Sequence, residues 1–565
     1  MTPRERLLFL LTALFCGATR FLTMARTHWG WDEALFATAM RDYDVTRHHP
    51  HPPGFPVFVG AAKLVRLVVP SDFRALQAID LLAGVLLFPA VYLLARELGF
   101  RFPTATIAGA LCAFFPNVWF FGGTALSDVP SIVLATLAAA MLLRGRRDAN
   151  AYFIGTVALA LAIGIRPQNF LIGLFPGLIA TWHRARHSMR DVIFAAALGT
   201  AISLGAFACA AIATGDSDAY MRTVRSHGEY ISRVDSYRSP DRPPLWRLFP
   251  RFFLQQYQSA PLSVVVSLFV LISVVEGVRR RDRTILFALL TFGPVAVMAW
   301  LMLDRFSINR FSIGYAPLFA LLAADGIARA ARRFEPYAGA ALIGAFIVWA
   351  GPAFDVVRNE KSPPVLAIET MQKTLDPARD ALYVSHSMSA HVHLLAPGLP
   401  YVKVREERSL PLVAHGRRAW ILSEIDHAEP RGFVYRREHD NLFSITRRYY
   451  YDVALRPLDE RPHFVSGWGE IDRFGTSEAR MMSPRSVTQL PRLAGDAKLA
   501  LTVESWTAAK VTITLNGTVV DTLDVSGEVT REWDVIARGD DVLELSTTGP
   551  SLKVRDLVWG RRQKP

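Results

Sequence analysis

The chain has 565 residues, 51% of them hydrophobic, a mean hydropathy of +0.23 and a formal net charge of +13. A soluble protein of this size is more polar, and the length allows more than one domain. The positive charge does not point to nucleic acid, because the basic clusters at 144–147, 183–190, 279–283 and 329–333 fall between hydrophobic segments and act as topology signals.

The N-terminus begins Met1-Thr2-Pro3-Arg4-Glu5-Arg6 and runs into a long apolar stretch with no small-x-small cleavage site. It reads as an uncleaved first span. Candidate spans follow at 5–24, 74–96, 103–121, 125–143, 150–166, 168–183, 190–213, 260–277, 283–303, 311–330 and 337–355. That makes about eleven, each near the roughly 20 residues needed to cross the hydrocarbon core. The stretch 55–70 carries Lys63 and Arg66. Reading it as a helix on the membrane surface keeps every later basic loop on one side. The N-terminus is then cytoplasmic, with cytoplasmic loops near residues 99, 147, 187, 281 and 333. The loops 25–73, 122–124, 166–168, 214–259 and 304–310 face outside, and so does the C-terminal tail.

Cys16, Cys112 and Cys209 all lie in apolar segments, without metal-ligand or disulfide spacing. They read as packing residues.

The first external loop holds Trp31-Asp32-Glu33. The pair suits the negatively favoured start of a short helix over 32–43. It equally suits a general base placed to meet an acceptor hydroxyl or amine. His48-His49-Pro50-His51-Pro52-Pro53-Gly54-Phe55-Pro56 comes next. The prolines hold the chain extended and splay neighbouring histidines apart. A stiff turn presenting His49 and His51 to a phosphate is therefore preferred to a metal site, and no cofactor is expected. Ser127-Asp128-Val129-Pro130 opens another span, as a helix cap or as a site residue. Arg166-Pro167 and Asp304-Arg305 with Asn309-Arg310-Phe311 lie at external span ends. Such arginines either snorkel or bind phosphate in bidentate fashion. The long loop 214–259, with Tyr220, His227, Glu229, Tyr230 and Tyr237, is too long for a plain connector.

No Walker A sequence, dinucleotide fingerprint or nucleophile elbow is present. This disfavours nucleotide-driven transport and serine hydrolysis.

The tail divides in two. Residues 356–458 read as a small α/β domain, with a helix at 365–375 and strands at 381–385, 401–404, 418–423 and 442–446. His386, His391 and His393 follow its first strand and receive no role. Residues 459–565 read as a β-sandwich of jelly-roll type. Its strands include 499–503, 511–515 and 542–545, with a hairpin at Asn516-Gly517.

Taken in order, the acidic pair after the first span, the Pro-Pro-Gly turn, Ser127-Asp128, Arg166-Pro167 and Asn309-Arg310-Phe311 resemble the GT-C membrane glycosyltransferases. The resemblance covers residues 1–355. It is greatest to glycosyltransferase family 39, the group of protein O-mannosyltransferases and lipid A aminoarabinose transferases. It implies a GT-C-like polytopic helical domain that transfers sugar, with inversion, from a polyprenyl-phosphate donor. The acceptor, a protein, lipid or glycan, would enter from the extracytoplasmic side of a bacterial inner membrane. Asp32 is then the catalytic base and Glu33 its assistant, orienting the acceptor. His49, His51, Asp128, Arg166 and Arg310 are the candidates for donor phosphate and substrate. The aminoarabinose transferases carry Lys-Pro-Pro where this chain has His51-Pro52-Pro53, so the contact here is pH-dependent. The rival readings are a lipid or sugar transporter or flippase, which calls for charges buried mid-span, and a non-catalytic envelope-assembly protein.

Overall fold

The computed structural model describes residues 1–234, 236–239, 244–254, 257, 259–302, 308–404, 418–424, 433–435, 453–457, 462–474, 477–549 and 552–561. These residues form two compact units, one Met1–Ser362 and one beginning at Pro363. The expected strand at 442–446 and the pair Asp304 and Arg305 lie outside the described residues.

The first unit is helical. Its elements are α1 (Pro3–Thr23), α2 (Trp31–Ala39), α3 (Pro56–Val65), α4 (Asp72–Leu98), α5 (Phe102–Phe114), α6 (Pro116–Phe121), α7 (Asp128–Gly145), α8 (Ala149–Ile165), α9 (Phe170–Ala185) and α10 (Met189–Thr214). They continue with α11 (Ser217–Val234), α12 (Leu245–Leu254), α13 (Ala260–Arg279), α14 (Arg283–Leu301), α15 (Ile308–Phe311), α16 (Ala316–Ala331) and α17 (Glu335–Asn359). Every expected span falls on helix. Seven stretches are long and apolar enough to cross a membrane: α1, α4, α7, α10, α13 with Arg280, α14, and a run from Ser312 to Thr374. The protein is an integral membrane protein. The other expected spans fall on shorter helices. The stretch 103–121 is split into α5 and α6, because Pro116 forces Phe115 out of helical geometry, to ψ 124°. At 13 residues, α5 rises only about 20 Å. The span α4 is ended by Gly99 in the left-handed region, φ 104°.

Burial explains the order of packing. Helices α5, α7 and α16 are buried almost all round, as central helices must be. Exposed apolar side chains line α1 and α10, where lipid rather than protein is the solvent. At the end of α3 and just beyond it, Leu64, Leu67 and Val68 are exposed. The long loop after α10 is built on two helices, α11 and α12.

The second unit starts with α18 (Pro363–Thr374), β1 (Asp380–Ser385), α19 (His386–Leu395), β2 (Val402–Val404), β3 (Arg418–Glu424), β4 (Phe433–Tyr435) and β5 (Val453–Pro457). The sheet order is β2-β1-β3-β5-β4, with β1 parallel to β2 and β3. Helices α18 and α19 bury their apolar faces on it through Ile368, Met371, Met388 and Val392.

Next come β6 (His463–Phe474), β7 (Ser477–Gln489), β8 (Ala494–Leu515), β9 (Thr518–Arg538), β10 (Val542–Thr547) and β11 (Leu552–Arg561). Strand β8 pairs with β11 through its first half and with β10 through its second. It is irregular between Ser505 and Ala509. Strand β7 divides itself between the same two partners. Long strands that change partner at a bend enclose a core between two layers, here filled by Leu499, Leu501, Val503, Val511, Ile513, Leu543 and Leu545. Asn516 and Gly517 both have positive φ, 53° and 78°, the geometry of a two-residue hairpin turn.

Candidate active site

The site is assembled by short elements between spans. Residues 24–30 are tied down by backbone bonds from Ala25 N to Gly123 O, 2.8 Å, and from Arg26 N to Val357 O, 3.0 Å. Helix α2 starts from Gly30, a residue without a capping side chain. Glu33 does the capping instead. Its Oε2 accepts from the N–H of Trp29, 2.7 Å, and from that of Gly30, while its Oε1 accepts from Ala125 N at 3.1 Å. Consecutive helical residues point about 100° apart. Asp32 therefore faces outward, 17% exposed, while Glu33 is fully buried at 0%.

Asp32 meets Arg310, which comes from the short helix α15 at the far end of the helical unit. The Arg310 guanidinium bonds Asp32 through Nη1 and Asp128 through Nε at 3.1 Å, with Nη2 at 3.0 Å. Arg166, at the C-terminus of α8, donates from Nη2 to the same Asp128 oxygen at 2.8 Å and from Nε to Ser127 Oγ at 3.1 Å. Ser127 and Asp128 are thus turned to the arginines, and Ser127 makes no side-chain cap to α7. Arg310 is seated from behind by the turn 312–315. Asn117 donates to Ser312 Oγ there, and the Tyr315 ring stacks on Phe252 at 4.5 Å.

The His-Pro turn forms the opposite wall. Asp44 and His49 exchange two backbone bonds of 2.8 Å each. Tyr43 and Tyr220 donate their hydroxyls to the carbonyls of Gly54, 2.8 Å, and Pro53, 2.9 Å. Gly54 has φ 101°, and a Cβ there would collide with the Tyr43 hydroxyl, so the turn requires glycine. This fixes the His51 ring 4.6 Å from the Phe55 ring, with Nδ1 3.8 Å from Asp32 Oδ1. His227 of α11 approaches it at 6.3 Å between ring centres.

Charge decides the protonation. Burial favours a neutral Asp32, but the charges of Arg310 and His51 and the Arg310 hydrogen bond hold its carboxyl well below the usual range. Burial works against the Arg310 charge, yet Asp128 and Asp32 hold it well above its ordinary value. Burial pushes Glu33 up to about 7, against the N–H groups of Gly30, Trp29 and Ala125. Burial pulls His51 down to about 4, against the charge of Asp32 and with Arg310, Arg166 and His227 adding to the lowering.

Asp32, His51, Asp128, Arg166 and Arg310 therefore meet in one place. Glu33 lies behind them, occupied by backbone. His49 is engaged by Asp42, Nδ1 to Oδ2 3.2 Å. Three further side chains belong to the surroundings of the site: Ser127, His227 and Asp80 of α4, whose Oδ2 lies 3.5 Å from the Thr124 hydroxyl. A lone acid in an apolar span is a legible signal for Asp80. Among the described residues no group of three His, Cys, Asp or Glu side chains is arranged to hold a metal.

No protein-family model matches the sequence, and no curated protein does. The chain is similar to the solved structure of ArnT from Cupriavidus metallidurans in the apo state, with 12% identity over 80% of this chain and 97% of that one, at a TM-score of 0.47. The undecaprenyl-phosphate complex of the same protein gives 12% identity, 80% and 98% coverage and a TM-score of 0.48. The Archaeoglobus fulgidus oligosaccharyltransferase in its apo form gives 10% identity, 99% and 98% coverage and a TM-score of 0.47.

Proposed function

We propose that this chain is an inverting glycosyltransferase. It moves a sugar from a polyprenyl-phosphate donor to an acceptor on the extracytoplasmic side of the membrane. The observation that carries the reading is the chain Asp32–Arg310–Asp128–Arg166 with His51 beside it. It joins groups from four separate helix ends just outside apolar spans.

The arrangement suits the chemistry. Two carboxylates and two guanidiniums balance, so an arriving phosphate must compete with a carboxylate for Arg310. A guanidinium fork matches a phosphate in bidentate fashion. Once the phosphate takes up Arg310, the clamp on Asp32 loosens and its basicity rises. The acceptor O–H or N–H then gives its proton to Asp32. The acceptor atom bonds the anomeric carbon as the bond from that carbon to the phosphate oxygen breaks, on the opposite face. The phosphate departs with the electron pair, and the arginines stabilise its growing charge.

The buried charges Arg20 and Asp80 in α1 and α4 are of the kind a transporter carries. Both are bonded to fixed backbone or loop groups, Arg20 to Ala113 O and Asp80 to Thr124. They serve the scaffold on this reading.

The test is equilibrium binding of undecaprenyl phosphate to the purified chain. Arg310→Ala is expected to weaken it by about tenfold or more, since a charge-assisted bond is lost. Arg310→Lys keeps the charge but not the fork and should recover only part. Equal binding by wild type and Arg310→Ala would remove the phosphate role.

A further inference from the structure

The loop between α6 and α7, Gly122-Gly123-Thr124-Ala125-Leu126-Ser127, is gripped from both sides by buried acids. Ala125 N donates to Glu33 Oε1 at 3.1 Å. On the other side the Thr124 hydroxyl lies 3.5 Å from Asp80 Oδ2, and the N–H groups of Thr124 and Leu126 face the same carboxylate. Gly123 O accepts from Gln77 Nε2 at 2.9 Å and from Ala25 N at 2.8 Å. The loop is pressed directly on α4: a Cβ at Gly84, four residues after Asp80, would lie 3.0 Å from Gly122 O. The last loop residue, Ser127, and the next residue, Asp128, carry Arg166 and Arg310.

Asp80 is fully buried in an apolar span, where an acid side chain is rare and is usually held for a reason. It makes no contact with Asp32, Arg310 or Arg166 that would give it a part in the chemistry.

We infer that Asp80 is a positioning residue: with Glu33 it braces the 122–127 loop and so fixes the seat of Asp128 and of the two guanidiniums that Asp128 holds. Leu126 is only two residues from Asp128, so a loosened loop moves that carboxylate. Loss of the brace then acts on phosphate affinity at a distance. Its effect on affinity rests on the transferase reading; its effect on the loop does not.

Asp80 Oδ1 has no hydrogen-bond partner among the described residues, so the brace uses one acceptor oxygen, which an asparagine also offers. The experiment compares Asp80→Ala and Asp80→Asn in the full-length purified chain, with two readouts. The first is hydrogen–deuterium exchange at the amides of Thr124, Ala125 and Leu126. The second is affinity for undecaprenyl phosphate. Asp80→Ala should speed the exchange and weaken binding by roughly tenfold, the scale of a lost buried acceptor. Asp80→Asn should restore both to within about threefold. If Asp80→Ala does not fold, Thr124→Val takes its place, with faster exchange and weaker binding expected. Unchanged exchange in the folded variant overturns the brace. Faster exchange with wild-type affinity overturns its coupling to the arginines. A wild-type chain that does not bind undecaprenyl phosphate overturns the transferase reading, and exchange alone then decides the brace.

Discussion

Asp32 and Glu33 are neighbours in sequence with opposite surroundings. Asp32 is a carboxylate clamped by Arg310 and held well below its ordinary range despite burial. Such a carboxylate is a poor base until its cation is drawn away, which an arriving phosphate would do on the proposed reading. Asp32→Asn keeps the shape and removes the base. We expect a fall in turnover of about a hundredfold or more, the scale of general-base catalysis, with unchanged expression and melting temperature. Glu33 is instead pushed up to about 7 by burial. In the unfolded chain it titrates near its ordinary value of 4.5. The folded state therefore binds the proton more tightly, and stability is full below about pH 4.5 and is lost as pH rises through about 7. Glu33→Gln should flatten this part of the pH dependence of the melting temperature. It should also lower that temperature where Glu33 is ionised, because an amide cannot accept from three N–H groups with both of its ends. His51, drawn down to about 4 by burial and nearby cations, is neutral in the empty site. A phosphate beside it favours its proton, so binding of undecaprenyl phosphate should take up protons and strengthen as pH falls toward 5. Calorimetry in buffers of different ionisation enthalpy measures this, and His51→Ala should reduce the uptake. The sequence made Asp32, Asp128, Arg166 and Arg310 legible because they sit at span ends on one side. It did not show that Glu33 turns inward or that His49 is engaged by Asp42, since both depend on how α2 and the turn are rotated.

At the scale of elements, periodicity and turn chemistry carried most of the reading. Hydrophobic runs marked the helices, and Asn516-Gly517 marked its hairpin. Proline was harder to weigh. Pro116 divides an expected span into α5 and α6, whereas Pro89 and Pro294 lie inside α4 and α14 without ending them. A helix tolerates proline when neighbouring helices satisfy the freed carbonyl, and that depends on packing. The His-Pro turn depends on Gly54, at φ 101° beneath the Tyr43 hydroxyl. Gly54→Ala should cost about 1–3 kcal/mol from backbone strain, before the steric conflict is counted. A lowered melting temperature together with weaker phosphate binding is expected, because His51 rides on that turn. The acid-gripped loop before α7 was not legible: Asp80 is some 45 residues upstream in sequence, and only the fold brings it to Thr124.

For the whole molecule, composition and the basic loops gave an integral membrane chain followed by a β-containing tail, as the structure has it. The number of spans was less legible. About eleven were expected on a length of roughly 20 residues, and seven stretches meet the length and hydropathy of a span, the run from Ser312 to Thr374 covering two of the expected ones. The short helix α5 is apolar and covered by protein almost all round, and composition does not distinguish protein from lipid as the covering. On the proposed reading the Asp32 site transfers sugar from a lipid-linked phosphate. The most direct test follows a radiolabelled sugar on polyprenyl phosphate, incubated with the purified full-length chain and an envelope extract as acceptor. The label should leave the lipid with the wild-type chain and stay there with Asp32→Asn. Label that stays on the lipid with both proteins, or leaves it equally with both, contradicts the account.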